Sequence, residues 1–152
     1  MTVRIDADLE DRLKQIPLAE EPFFLTARLS AQGSGAANRV LAPFGLKVRH
    51  YSLLSIACSD ENPTQREVSQ FLVLDPSQVV SLVDDLEKLG AVERIPDPRD
   101  RRSKIIVATD AGRELHRETK ALVDDAGVQS LSRLTPAEQA DFLRLLRKAT
   151  LD

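Results

Sequence analysis

Apolar residues recur at helical spacing along most of this chain and at strand spacing in only one region. Ile5, Leu9, Leu13 and Ile16 predict a short helix before Pro17. Pro17 and Pro22 bracket a connection, and a second helix is predicted from Phe23 to about Ala42. The small residues from Gly33 to Ala37 have poor helix propensity but would let a neighbouring helix approach closely. Phe44-Gly45-Leu46 is a break. From Val48 to about Cys58, apolar residues fall on more than one side, which predicts a buried helix.

The stretch from Thr64 to Thr109 is the most informative. Thr64 and Glu67 have capping-box spacing and open a short helix, in which Val68, Phe71 and Leu72 give the buried stripe and Gln65, Arg66, Ser69 and Gln70 face outward. A turn of about three residues ends at Leu74. Asp75 then caps a second helix, Pro76 takes the first position, and Gln78 completes another box. Val79, Leu82, Val83, Leu86 and Leu89 form its core stripe, and Gly90 is the expected C-cap. Residues 91–95 and 103–108 read as two strands joined by a Pro/Asp/Arg loop. Thr109 opens a long helix to about Leu131, with Ala111, Leu115, Leu122 and Ala126 on one face. Thr135 and Glu138 form a third box before a last helix bearing Phe142, Leu143, Leu145, Leu146 and Ala149.

The expected fold is therefore mainly α with a small β-hairpin: a winged helix-turn-helix with flanking helices. Two short helices, a tight turn and a charged hairpin form a DNA-reading device. The flanking helices carry more apolar surface than the central unit can cover, and a two-fold symmetric homodimer would bury it.

Composition narrows the picture. The chain has 152 residues, 42% hydrophobic and 30% charged, which suits one globular domain. No apolar run reaches membrane-spanning length and no secretion signal is visible, and the single cysteine, Cys58, has no partner for an internal disulfide, so a cytoplasmic location without membrane association is expected. The net charge is −3, yet Arg94, Arg99, Arg101, Arg102 and Lys104 face only Asp97 and Asp100 in the hairpin loop and its flanks. That concentration fits a DNA-contacting wing; an ordinary solvated hairpin is the alternative. No Ser/His/Asp arrangement, phosphate loop or metal-ligand spacing is present, so neither an enzyme nor a cofactor is expected.

These residues resemble the MarR family of bacterial transcriptional regulators. The resemblance runs from about residue 23 to the C-terminus. It is carried by Phe44-Gly45-Leu46, by Ser77, Leu82-Val83-Asp84 and Leu86 to Gly90 in register, by Val92-Glu93-Arg94, by Asp97 to Ser103, and by Thr109 and Gly112. It implies a ligand-responsive regulator, expected to be a repressor, acting as a homodimer on a pseudo-palindromic double-stranded operator. Residues 1–46 would form an N-terminal dimerisation region, 47–108 the DNA-binding lobe, and 109–152 would complete the dimer interface. It also implies a small aromatic or phenolic effector bound between dimer base and DNA-binding lobe. The expected effector pocket comprises Phe24 and Arg28 from the second helix and His50 and Tyr51 from the third.

The expected DNA contacts are Thr64, Gln65, Arg66 and Ser69 from the first helix of the motif, Ser77, Gln78, Ser81 and Lys88 from the second, and Arg99, Arg101 and Arg102 from the wing, with Asp100 supporting the wing. Hydroxyl and amide side chains in the first turns of a recognition helix can reach base edges. Gln78 and the serines can equally be cap residues exposed to water. The chain departs from the family's pattern at Ser81 and Asp85, positions that often carry a basic residue, and Asp84-Asp85 would repel phosphate if they faced it. A winged-helix protein-interaction module without strong DNA binding is the alternative class. Cys58 is expected to be inert packing, and His116 to lie at the surface.

Overall fold

The computed structural model describes residues 7–152. The helices are α1 (Ala7–Leu13), α2 (Pro22–Leu41), α3 (Val48–Ala57), α4 (Gln65–Leu72), α5 (Pro76–Lys88), α6 (Asp110–Ser130) and α7 (Pro136–Thr150). Single 3-10 turns occupy Pro17–Glu20 and Ala42–Phe44. Strands β1 (Val92–Pro96) and β2 (Lys104–Ala108) pair antiparallel, with Arg94 opposite Ile106. Ile5, expected in the first helix, lies outside the described residues.

All three expected capping boxes form. Thr64, Asp75 and Thr135 each accept a first-turn amide, while Glu67, Gln78 and Glu138 reach back to the cap N–H. At the start of α3 only the reach-back half of such a box forms, because a Lys47 ammonium cannot accept: the Lys47 N–H donates to His50 Nδ1 at 3.0 Å. Between α4 and α5 the chain turns through Val73, whose φ of 53° is unusual for a β-branched residue. Ser69 fastens this turn: its carbonyl accepts from the Leu74 N–H at 3.0 Å, and its hydroxyl donates to Leu74 O at 2.7 Å.

One core joins the lobe to the long helices. Leu41, Leu53, Leu54, Val79, Val83 and Leu86 have no exposed surface, and Val68 and Ile106 lie beside them. α2 packs along α6, and α3 sits between these helices and α5. Gly112 allows α6 to begin against the lobe, because a Cβ there would lie 1.9 Å from Ala91 O. Thr109 completes this joint by donating its hydroxyl to Gly90 O at 2.6 Å.

Three expected stripes are narrower than the sequence implied. Phe71 is 63% exposed: Val68 and Leu72 face the core, and Ser69, clamped by the turn, takes the second buried position. Leu89 is 49% exposed because α5 ends at Lys88 and the chain turns away through Gly90 at φ 69°. Leu122 is likewise exposed. α7 buries no residue and has no extensive contact with another element of its own chain, although Leu143 and Leu145 are apolar and exposed.

Candidate nucleic-acid interface

The sequence of α5 places a polar face outward. Ser77, Gln78 and Ser81 are exposed. Asp75 Oδ1 accepts from the Ser77 N–H at 2.9 Å and from the Ser77 hydroxyl at 2.6 Å, and these bonds hold its carboxyl below the usual carboxylate range. Gln78 gives its carbonyl oxygen to the cap and keeps its amide NH2 outward. Val80 shares this face at 41% exposure. It was missed because an apolar residue on a helix was read only for the core, yet a methyl on a recognition face can meet a thymine methyl.

In α4 the expected contacts separate. Arg66 is exposed and has no hydrogen bond or ion pair among the described residues. Ser69 is 7% exposed with its hydroxyl committed to the turn, so it is a bracing residue and not a phosphate anchor. The Thr64 hydroxyl is engaged by Glu67. Gln65 turns its side-chain oxygen to Arg94 Nε at 2.6 Å, which corrects its outward placement.

Arg94 is the largest correction to the charge picture. It leaves β1 toward α5, is 17% exposed, and pairs with Asp84 at 2.7 Å and with Glu87. Its backbone N–H also donates to Glu87 Oε1. One of the five local cations is therefore consumed inside the lobe. The same contact answers the Asp84-Asp85 problem: Asp84 faces Arg94, while Asp85 meets His50 Nε2 at 3.2 Å and Lys88 at 3.7 Å. Lys88 stays mostly exposed beside that carboxylate.

The wing divides in the same way. Arg99 does not project from the tip. Its Nε and Nη2 grip the buried Asp97 at 3.0 and 3.1 Å, and Nη2 also reaches Asn62 O. The guanidinium holds Asp97 below the usual carboxylate range. Asp100 closes the tip by accepting the Arg102 backbone N–H at 3.0 Å, while its carbonyl accepts from Ser103. Arg101 and Arg102 are exposed, and neither guanidinium has a partner among the described residues.

Phe24, Arg28, His50 and Tyr51 do not share a cavity. Phe24 and Arg28 line a groove of about 430 Å³ against α1, with Arg28 paired to Glu10 at 2.7 Å. His50 is turned to Asp85, and the Tyr51 ring stacks on His116 with centroids 5.5 Å apart. A separate cleft of about 590 Å³ lies between α3 and α6, lined by Ser55, Cys58, Arg113, His116, Arg117 and Lys120. His116 is half-buried instead of lying free at the surface: its Nε2 is buried without a partner among the described residues, and burial pushes its pKa down. Burial pushes the Cys58 thiol up, an effect only partly offset by Arg113. No group of three potential metal ligands is assembled among the described residues, and none of their helices is long and apolar enough to cross a membrane.

A capped helix, a serine-clamped turn, a second capped helix with a polar outer face, and a hairpin with two unpaired arginines define a winged helix-turn-helix. Residues 44–103 match the family model described as MarR family. A MarR-family transcriptional regulator from Rhodococcus sp. RHA1 is 38% identical, with TM-score 0.82 over 90% of this chain and 98% of that one. CouR from Rhodococcus jostii RHA1, solved bound to p-coumaroyl-CoA, is 40% identical, with TM-score 0.78 over 90% and 96%. The Mycobacterium tuberculosis MarR family protein Rv2887, solved in complex with p-aminosalicylic acid, is 26% identical, with TM-score 0.72 over 85% and 98%. The chain belongs to the MarR family of transcriptional regulators.

Proposed function

We propose that this protein is a ligand-responsive transcriptional repressor that binds a pseudo-palindromic DNA operator as a homodimer. The observation that carries this reading is the sorting of charge in the lobe. Asp84, Asp85, Glu87 and Asp97 all have cationic or histidine partners, whereas Arg66, Arg101 and Arg102 have none among the described residues. Unpaired arginines at a wing tip suit the negative potential of a narrow minor groove. The face carrying Ser77, Gln78, Val80 and Ser81 would read base edges in the major groove.

Residues 1–46 and 109–152 would form the dimer base, and residues 47–108 the reading lobe. The exposed Leu143 and Leu145 of α7 support this division, because α7 buries no residue and makes no extensive contact with another element among the described residues. The α3–α6 cleft is the best-supported effector site. His116, on whose ring Tyr51 stacks, supplies an aromatic surface, and Arg113, Arg117 and Lys120 line the cleft together with Asp124. An aromatic acid or its thioester fits that chemistry, and p-coumaroyl-CoA and p-aminosalicylic acid, the ligands of two relatives, are the first compounds to try.

A mobility-shift titration on the DNA upstream of the protein's own coding region tests the reading. Arg101→Ala and Arg102→Ala should each weaken binding by about 1–3 kcal/mol while leaving the dimer intact. Unchanged affinity in both variants would remove the wing from the interface. The second reading, a protein-interaction module, draws on exposed Phe71 beside an apolar groove. The acidic N-terminus also suits it, whereas Asp84 and Asp85 are paired within the lobe and do not.

A further inference from the structure

The first turn of α3 touches three other helices. The Val48 N–H donates to Asn38 Oδ1 of α2 at 2.8 Å. His50 Nε2 lies 3.2 Å from Asp85 Oδ2 of α5, and Tyr51 stacks on His116 of α6. One short segment therefore connects both long helices to the recognition helix.

His50 is the member of this turn that reaches α5. Its two ring nitrogens have different tasks. Nδ1 accepts the Lys47 N–H at 3.0 Å and so carries no proton in this geometry. The ring proton then sits on Nε2 and is donated to Asp85. Half-burial keeps the ring in place: the His50 side chain is 13% exposed, against 48% for Asp85.

We infer that His50 is a positioning residue for DNA recognition, clamping the recognition helix to α3 through Asp85. The inference rests on α5 being the DNA-reading helix. Without the clamp, α5 keeps its core stripe of Val79, Val83 and Leu86 but loses its polar tie to the turn that meets α2 and α6. Its outward face then samples orientations that do not fit the groove.

The test is a double-mutant cycle on the full chain with His50→Ala, Asp85→Ala and the double variant. It is read by operator affinity and by backbone hydrogen exchange over residues 82–89 without DNA. Asp85→Ala breaks the clamp from its more exposed side, so the test does not depend on His50→Ala folding well. His50→Ala should weaken operator binding about fivefold in the wild-type background and less than about twofold in the Asp85→Ala background. Exchange should rise in each single variant and rise no further in the double.

Equal losses in both backgrounds would assign His50 only to the Lys47 cap and overturn the clamp, as would no loss in either. A wild-type protein that binds no operator would instead contradict the reading of α5. The exchange cycle, measured without DNA, would still decide whether the clamp exists.

Discussion

Arg94 and Arg101 are seven positions apart and carry the same charge, but their surroundings give them opposite tasks. Arg94 is bound by Asp84, Glu87 and Gln65, so Arg94→Ala leaves two carboxylates without their cation and should cost about 1.5–3 kcal/mol of stability in a denaturant titration. Arg101→Ala touches nothing in the fold and should change stability by less than about 0.5 kcal/mol. A count of charges along the sequence cannot separate the two. The signal was present in Asp84 and Glu87, three residues apart on one helix face and followed by an arginine on the next strand, but reading it requires knowing which way the strand turns.

Acid should act on two groups in the same direction. The depressed His116 pKa means that the unfolded chain takes up the proton first, so stability falls as pH drops from about 7 to 5, and His116→Asn should flatten that part of a melting-temperature profile. The carboxyl of Asp97 has a lowered folded pKa, so its contribution is complete above the ordinary carboxylate range and is lost below about pH 4.

At the scale of elements, what was legible was local. The boxes at Thr64, Asp75 and Thr135 depend on residues three apart, so spacing alone located the helix starts. Thr64→Ala should cost about 1 kcal/mol, seen as a lower denaturation midpoint. What was not legible depended on neighbours distant in sequence. Whether Phe71 or Ser69 is buried is decided by where the turn folds back, and that turn runs through Val73 in a left-handed conformation that no glycine announced. The role of Gly112 is also set from outside its helix, by the Ala91 carbonyl. Gly112→Ala should therefore destabilise by about 1–3 kcal/mol, although alanine is the better helix former.

For the whole molecule, the apolar periodicity of the flanking helices pointed to a dimer, and α7 standing clear of its own chain supports the same proposal. Deleting residues 135–152 should give a monomer by sedimentation and abolish operator binding. The effector pocket was the least legible feature. The family resemblance groups Phe24 and Arg28 with His50 and Tyr51, whereas α2 turns its first residues toward α1, and the α3–α6 cleft is lined from the later helix by residues between 113 and 124. Salt dependence belongs to this scale too. With Arg94 and Arg99 engaged by carboxylates, Arg66, Lys88, Arg101, Arg102 and Lys104 remain for phosphate in each protomer, and a log–log slope of about −9 results if all of them engage in the dimer.

If two copies of α5 and its wing read DNA together, footprinting of the purified protein on the DNA upstream of its own coding region will show two protected half-sites about one helical turn apart, roughly 34–36 Å. The Arg101→Ala/Arg102→Ala double variant will lose that protection while remaining a dimer. Absence of protection by the wild-type protein, or identical protection by that variant, would contradict such joint reading.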